Sequence, residues 1–324
     1  MNAILVMCHK DFDQVKRLIN RCISNETRII VHIDKKSNIT NGEIEEMASS
    51  HGVYLTDERL NGFLDDRSLV DITMLMIDKA HKIEKQENIH FQYYCLLSGQ
   101  DYLTKHIDDI NDRLSQAYPK PIIDCSAYQK NLWIYNKFTR NPFTQSINKW
   151  IRFKFKKHNI IWMGFKGVEI FIRKLCQSLS ITDYHYFKRK RIDLFGGSAW
   201  WILPDIAIDY ISKEYNAGKR HWKRLLSSVT PEEVFFQTLV MQSPLANLVD
   251  VNPKGTTTQN CKTWAYFFDE DKPPINHPYI FTVKEFDKLV NKDCWFARKF
   301  DMSVDSEIFD LLDKHANEYY KNKT

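Results

Sequence analysis

The chain has 324 residues, of which 43% are hydrophobic, enough for a substantial core in one large domain or two. No apolar run approaches the ~18 residues of a membrane span, so no membrane-spanning segment is predicted in this sequence. The net charge is only +5, with 46 basic residues offset by 41 acidic ones, and no recognised nucleic-acid motif is present, so no nucleic-acid partner is expected.

The first hundred residues alternate between apolar strands and amphipathic helices. Strands are predicted over residues 3–8, 28–33, 52–55 and 90–97, and helices over 11–24 and 68–83. This alternation is typical of an α/β fold with a doubly wound, mostly parallel sheet. Ligands of such sheets bind beyond the carboxyl ends of the strands, where Asp34, Ser98 and Gly99 lie. Each of these residues can also be read as an ordinary turn residue.

The seven cysteines show no Cys-x-x-Cys spacing and no pairing pattern. Several of them lie in apolar runs, which predicts buried free thiols, a reducing compartment and no cysteine metal site. They are Cys8, Cys22, Cys95, Cys125, Cys176, Cys261 and Cys294.

The middle of the chain carries a basic and aromatic stretch. Between Lys149 and Lys174 there are eight Lys or Arg residues and one acid, Glu169, with Trp150 and Trp162 among them. Such a stretch is most often a solvated face over a core. Contact with an anionic membrane is the other interpretation, because Lys, Arg and Trp suit the headgroup region.

Two glycines and a serine lead into paired tryptophans in the segment Phe195-Gly196-Gly197-Ser198-Ala199-Trp200-Trp201. Glycines allow a backbone to approach a ligand closely, and tryptophan offers a flat apolar face with an N–H donor. Because strand side chains alternate, Trp200 is the predicted stacking surface and Trp201 is predicted to face the core. Ordinary core packing of both tryptophans remains the alternative.

Two adjacent glutamates follow in the segment Thr230-Pro231-Glu232-Glu233. Thr230 as N-cap, Pro231 at the first helical position and Glu233 at the third would form a capping box. The functional alternative is that a carboxylate fixed here deprotonates a hydroxyl bound beside Trp200.

The sequence offers no obvious metal site. Asp269-Glu270-Asp271 has the form of a metal motif but lies in a proline-flanked polar stretch, and Gln100-Asp101 supplies a single carboxylate. A basic clamp can replace a metal, since Lys or Arg neutralises charge that develops on phosphate oxygens. The pair Arg298-Lys299, flanked by phenylalanines, is the candidate clamp, with a solvated surface pair as the alternative.

Together these segments resemble the core-2/I-branching β-1,6-N-acetylglucosaminyltransferases and the related peptide O-xylosyltransferases. That family carries Gly-Ser-x-x-aromatic followed, at the same distance, by Ser/Thr-Pro-acid-Glu. Further stretches agree in the same order: His9-Lys10, Val31 to Ser37, Tyr94 to Asp101 and Trp295 to Asp301. The resemblance leaves out about residues 120–190.

The resemblance implies a single GT-A-type domain over residues 1–324 that acts as an inverting, metal-independent glycosyltransferase without a cofactor. Glu233 matches the family's catalytic base. Trp200 and Glu232 are then expected at the acceptor, although Glu232 could simply face solvent. Acceptor choice is expected to lie in the divergent region at about 126–190.

The resemblance also implies where a UDP-sugar donor binds. Asp34 matches the residue that contacts the uracil, Val6 the residue beneath the base, and Ser98-Gly99 the loop near the donor sugar. Lys299 matches the diphosphate lysine. The family also uses an arginine roughly twenty or more residues before that lysine. It has no counterpart here, because no arginine lies between Arg224 and Arg298. Lys262 and Arg298 are the candidate replacements.

The expected reaction is transfer of N-acetylglucosamine from UDP-GlcNAc to a hydroxyl of a glycan or lipid-linked glycan, giving a β-linked product. Transfer of xylose from UDP-xylose is the alternative within the family, and a non-catalytic glycan- or nucleotide-binding protein is the alternative outside it. Animal members begin with a Golgi anchor, whereas this chain begins at its first strand. We therefore expect a bacterial, cytoplasmic enzyme of surface polysaccharide synthesis, peripheral to the anionic inner membrane.

Overall fold

The structure is a computed structural model that describes residues 1–63, 66–128, 142–154, 160–252, 260–265 and 278–323. The strands it describes are β1 (Asn2–Cys8), β2 (Thr27–Ile33), β3 (Val53–Leu55), β4 (Tyr93–Ser98), β5 (Asp101–Leu103), β6 (Ile122–Ile123), β7 (Ser126–Ala127), β8 (Phe195–Gly196), β9 (Trp201–Pro204), β10 (Thr263–Ala265) and β11 (Phe296–Arg298). The helices are α1 (Phe12–Cys22), α2 (Asn41–Ala48), α3 (Ser68–Glu87), α4 (Ile107–Ala117), α5 (Pro142–Lys154), α6 (Ile160–Ser178), α7 (Asp183–Arg189), α8 (Asp205–Asn216), α9 (Arg220–Leu226), α10 (Phe235–Val240), α11 (Phe286–Asn291) and α12 (Glu307–Lys323).

The central sheet has six strands in the order β3-β2-β1-β4-β9-β6. Strands β3, β2, β1 and β4 run parallel, while β9 is antiparallel to both of its neighbours, β4 and β6. The predicted α/β fold with a mostly parallel sheet is therefore confirmed. Asn2 of β1 pairs with both Thr27 and Tyr93, so the carboxyl ends of β1, β2 and β4 lie at one edge.

Helices cover both faces of this sheet, which explains why the strands are apolar throughout. Alternate residues of β1 point to opposite sides: Leu5 packs with the cluster that contains α3, and Ile4 with the cluster that contains α1. The predicted helix over 11–24 is observed as Phe12–Cys22, which begins after the left-handed Asp11 (φ 57°) and ends before the extended Ile23.

A second, three-stranded sheet in the order β10-β11-β5 lies beside the end of β4. In it β5 and β11 are antiparallel, with Asp101 opposite Arg298. A two-stranded sheet pairs β7 with β8 and places Ser126 opposite Gly196. These short sheets bring segments far apart in sequence to the carboxyl edge of the central sheet.

All seven cysteines are buried free thiols, as predicted. Helices α5 and α6 pack against each other. Within the described ranges, no helix is both long and apolar enough to cross a membrane.

Candidate active site at the carboxyl ends of the strands

Backbone hydrogen bonds join the segments that follow β1, β2 and β4. The Asp34 amide donates to the Cys8 carbonyl at 2.8 Å, and the Gly99 amide donates to the Met7 carbonyl at 2.9 Å. The strand-end residues predicted to lie together are therefore close neighbours, at the edge where ligands of such sheets bind.

The Asp34 carboxylate is held by two backbone amides. Its Oδ1 accepts from the Lys36 amide and its Oδ2 from the Gly62 amide, both at 2.8 Å. Asp34 thus has the turn role that was the alternative interpretation. Each carboxylate oxygen has a second lone pair, so the same geometry holds the group rigidly for a ligand.

His32 fixes the segment that holds Asp34. The ring is 1% exposed, and its Nε2 accepts from the Leu60 amide at 3.0 Å. Burial lowers the pKa of His32 to about 4, with the nearby charge of Asp34 opposing that shift. The ring is therefore neutral near pH 7, as an acceptor nitrogen requires.

Two of the predicted donor-binding residues, Val6 and Gly99, are buried in the core. Val6 is fully buried because its side chain points down onto α1, so it supports the strand end from below and presents no surface to a ligand. Gly99 is also buried, and its carbonyl accepts from the Gln14 side chain at 2.8 Å. A Cβ at Gly99 would lie 2.7 Å from Val15, so this glycine is required for packing. Neither residue offers a side-chain surface to a ligand, and their assignment to the donor site stays a prediction.

Asp101, Arg298 and Trp200 form a buried charged cluster. Asp101 is fully buried, and its carboxylate accepts from the Ser98 amide at 2.7 Å and the Ser98 hydroxyl at 3.1 Å. Burial raises the pKa of Asp101, and the charge of Arg298, 3.4 Å away, opposes the rise. The Arg298 guanidinium lies 4.0 Å from the Trp200 ring centroid, a cation–π geometry. Arg298 is therefore no solvated surface residue.

Lys299 follows directly and is half-buried. Burial, and then repulsion by Arg298, lower the pKa of Lys299, while Asp101 opposes that change. With the described residues Lys299 forms no side-chain hydrogen bond and no ion pair, so this cation is available to an anion. Lys262 differs, because its ammonium is ion-paired with Asp293 at 2.6 Å. Of the two candidate replacements for the family's arginine, only Arg298 adjoins Lys299.

His9 is a site residue that sequence reasoning quoted but gave no role. It is exposed, and burial of part of the ring lowers its pKa, followed in size by repulsion from Lys10. The charges of Asp34 and Lys299 also act on the pKa of His9, so the ring lies within electrostatic reach of both residues. The signal in the sequence was its position directly after β1.

The segment that carries the two glutamates is not a capping box. Thr230 has a left-handed φ of 49° and its hydroxyl donates to the Val229 carbonyl at 2.8 Å. Pro231–Glu233 forms a single 3-10 turn, and α10 begins at Phe235. The capping-box interpretation is wrong, because the Thr230 side chain makes no capping hydrogen bond to the turn. Glu232 is 9% exposed, so its solvent-facing alternative is also wrong.

The glycine segment lies directly against this turn. The Gly197 amide donates to the Glu233 carbonyl at 2.9 Å, and the Gln237 side chain donates to the Ser198 carbonyl at 2.6 Å. A Cβ at Gly197 would lie 2.0 Å from the Asp124 carbonyl oxygen, so only glycine fits. Trp201 is fully buried as predicted, whereas Trp200 is partly exposed.

These contacts form one continuous path across the strand-end edge. It runs from Glu233 through the Gly197 backbone to Trp200, then through Arg298 to Asp101. The path begins at the main-chain carbonyl of Glu233, passes the Trp200 ring and ends at the ion pair of Arg298 with Asp101. Such an arrangement can deprotonate a hydroxyl near a stacked ring and stabilise an anionic leaving group.

No three His, Cys, Asp or Glu side chains cluster as a metal site in the part of the chain that the structure describes. The stretch Asp269-Glu270-Asp271 lies outside the described residues, so the solvated-loop interpretation of it stays a prediction.

Comparisons with known proteins relate the chain to glycosyltransferases. It is 22% identical to "Xylosyltransferase 2" of Mus musculus over 329 aligned residues, which cover 99% of this chain and 34% of that protein. It is 28% identical to "Beta-glucuronosyltransferase GlcAT14B" of Arabidopsis thaliana over 41% of this chain and 29% of that protein. The chain thus spans about a third of the length of the curated relatives it matches.

A solved structure of S. aureus TarS residues 1–349 overlaps 38% of this chain and 35% of its own, with 9% identity and a TM-score of 0.27, too little to support an argument. No family model matches the chain.

Proposed function

We propose that this protein is a single-domain, GT-A-type, inverting glycosyltransferase that moves a sugar from a UDP donor to a glycan hydroxyl without a metal ion. The observation that carries the proposal is the set of contacts that places the Glu233 turn, the Trp200 ring and Arg298, which precedes Lys299, beside one another at the carboxyl edge. The similarity to xylosyltransferases over nearly the whole chain supports it independently.

In the proposed reaction the acceptor sugar stacks on the exposed part of Trp200. Glu233 takes the proton of the acceptor hydroxyl as that oxygen bonds to the anomeric carbon. The bond from that carbon to the diphosphate breaks on the opposite face, so an α-linked donor gives a β-linked product. A positioned base of this kind contributes about 10²–10⁴-fold to rate.

The leaving diphosphate is stabilised by Lys299, which no described carboxylate neutralises. Arg298 is fixed by Asp101 and the Trp200 ring, so it orients the end of β11 and places Lys299 at the diphosphate. Asp34, held by two amides, accepts from the nucleotide base. Ser98 lines the donor-sugar side, with its hydroxyl oriented by Asp101.

Two donor sugars are candidates. N-acetylglucosamine follows from the motif resemblance. With either donor, Glu232 lies near the acceptor hydroxyls. Xylose is the second candidate, favoured by the xylosyltransferase that aligns with 99% of this chain.

The test is UDP release from a panel of nucleotide sugars by purified protein, with and without EDTA. We expect release from UDP-GlcNAc or UDP-xylose that survives EDTA, and a β-linked product by NMR. Activity abolished by EDTA and restored by Mn²⁺ would contradict the metal-independent mechanism. No turnover with any donor, together with measurable UDP binding, would identify a non-catalytic binding protein.

A further inference from the structure

Helix α6 presents a line of apolar side chains to solvent. Val168, Phe171, Leu175 and Leu179 are 55%, 68%, 49% and 59% exposed. Spaced three and four residues apart, they lie along one side of the helix and its carboxyl end. We call these four residues the apolar stripe. Side chains in such a pattern normally face a core, and a contiguous exposed set marks an interaction surface.

The apolar stripe is not the core-facing side of α6. Glu169 and Cys176 of the same helix are buried. The helix therefore already packs through a different side, and the stripe is a second apolar surface. The exposed rings of Trp150 on α5 and Phe165 on α6 meet edge-to-face, with 5.3 Å between their centroids, and extend this surface.

The exposed charge around the apolar stripe is positive. Lys154 and Lys174 are exposed, and Lys166 and Arg173 are partly exposed. The one acid between Lys149 and Lys174, Glu169, is fully buried and bonded to Lys166 at 2.9 Å. No described residue of this stretch therefore offers an exposed negative charge.

We propose that α5 and α6 dock onto an anionic lipid membrane, with the apolar stripe at the acyl boundary and the basic side chains among the headgroups. A helix with one exposed apolar side and basic side chains on its other sides has the features of a helix that lies in a membrane interface. Long Lys and Arg side chains can reach the phosphates while their stems cover apolar surface. A second copy of this chain fits less well, because a two-fold contact would oppose like charges. This inference does not depend on catalysis.

The test is sedimentation of the whole protein with phosphatidylcholine vesicles that contain or lack phosphatidylglycerol. We expect salt-sensitive binding only to the anionic vesicles. The triple variant Phe171→Ser, Leu175→Ser, Leu179→Ser should bind at least about tenfold more weakly, since it loses the apolar anchor. Leu248→Ser with Val304→Ser is the matched control, because these apolar residues are 44% and 56% exposed elsewhere.

A second variant tests the charges: Lys154→Glu with Lys174→Glu should abolish the preference for anionic vesicles. Lys156 and Lys157, the lysines between α5 and α6, lie outside the described residues and are left unchanged. Circular dichroism checks that each variant is folded, and Phe171→Ser alone replaces the triple variant if it is not.

Three results would overturn the proposal. One is equal vesicle binding by the triple variant and the control. Another is no binding of the native protein at low salt. The third is a concentration-dependent dimer of the native protein, seen by analytical ultracentrifugation, that the triple variant does not form, together with no binding of the native protein to vesicles. The surface would then be an interface between copies.

Discussion

The strand-end edge and the α5–α6 surface use the same residue types in opposite ways. At the edge, Arg298 is 9% exposed and lies between the Trp200 ring and the Asp101 carboxylate. On α6, Phe171 is 68% exposed and the nearby basic residues lack an exposed acid. Basic and aromatic residues that are buried and paired build a fixed site, whereas the same residues left exposed form a surface for something outside the chain.

Glu233→Gln tests the fixed site most severely. Glutamine cannot accept the acceptor proton, so we expect transfer to fall about a hundredfold or more. The melting temperature should be near native, because the contact that ties this turn to Gly197 uses the Glu233 main-chain carbonyl. Steady-state kinetics and thermal melting measure the two effects. A variant that melts early but turns over normally would assign Glu233 a structural role only.

Lys299→Ala should weaken UDP binding about tenfold or more while the fold is kept. The variant removes one charge facing the diphosphate, and a charge-assisted hydrogen bond is worth about 1.5–3 kcal/mol. Calorimetry with UDP measures the change. Lys262→Ala is the control, because that ammonium is occupied by Asp293. Equal UDP affinities for both variants and the native protein would show that Lys299 does not contact the diphosphate.

A pair of glycine substitutions compares the packing of the two regions. Gly197→Ala places a methyl group 2.0 Å from the Asp124 carbonyl oxygen, so we expect a loss of about 1–3 kcal/mol in the free energy of unfolding. Gly164→Ala on α6 meets nothing within 4 Å and should instead gain about 0.5–1 kcal/mol from helix propensity. Urea denaturation measures both changes. An unchanged free energy of unfolding for Gly197→Ala would mean that the Gly197 backbone does not pack tightly against the Asp124 carbonyl.

The smallest expected effect is a loss in the free energy of unfolding at acid pH, caused by protonation of His32, the ring that fixes the Asp34 segment. The folded-state pKa of His32, about 4, lies below the unfolded value of 6.5, so the unfolded chain takes up the proton first. Stability from this group is complete above pH 6.5 and falls as the pH drops toward 4. At pH 5.5 the loss is about 1 kcal/mol. His32→Gln, which keeps an acceptor, should remove it; parallel stability curves would contradict this.

The sequence predicted the central sheet well because its signals are local. The apolar runs of β1, β2 and β4 and the periodicity of α1 and α3 follow from burial on both faces of the sheet. Because parallel strands share a carboxyl edge, the neighbourhood of Asp34 and Ser98 also followed. Trp201 in the core followed from strand alternation alone.

What the sequence could not decide depended on contacts between distant segments. The Thr230 side chain was an apparent helix cap, and only its left-handed backbone and its hydrogen bond to the Val229 carbonyl showed otherwise. The pairing of β5 with β11 put Arg298 opposite Asp101, nearly two hundred residues earlier in the chain, and turned an apparent surface pair into a buried cluster. Residue types and local periodicity determined the sheet and its binding edge. The tertiary structure decided which charges there are paired and buried and which, such as Lys299, remain available, because pairing and burial are set by neighbours that are remote in the sequence.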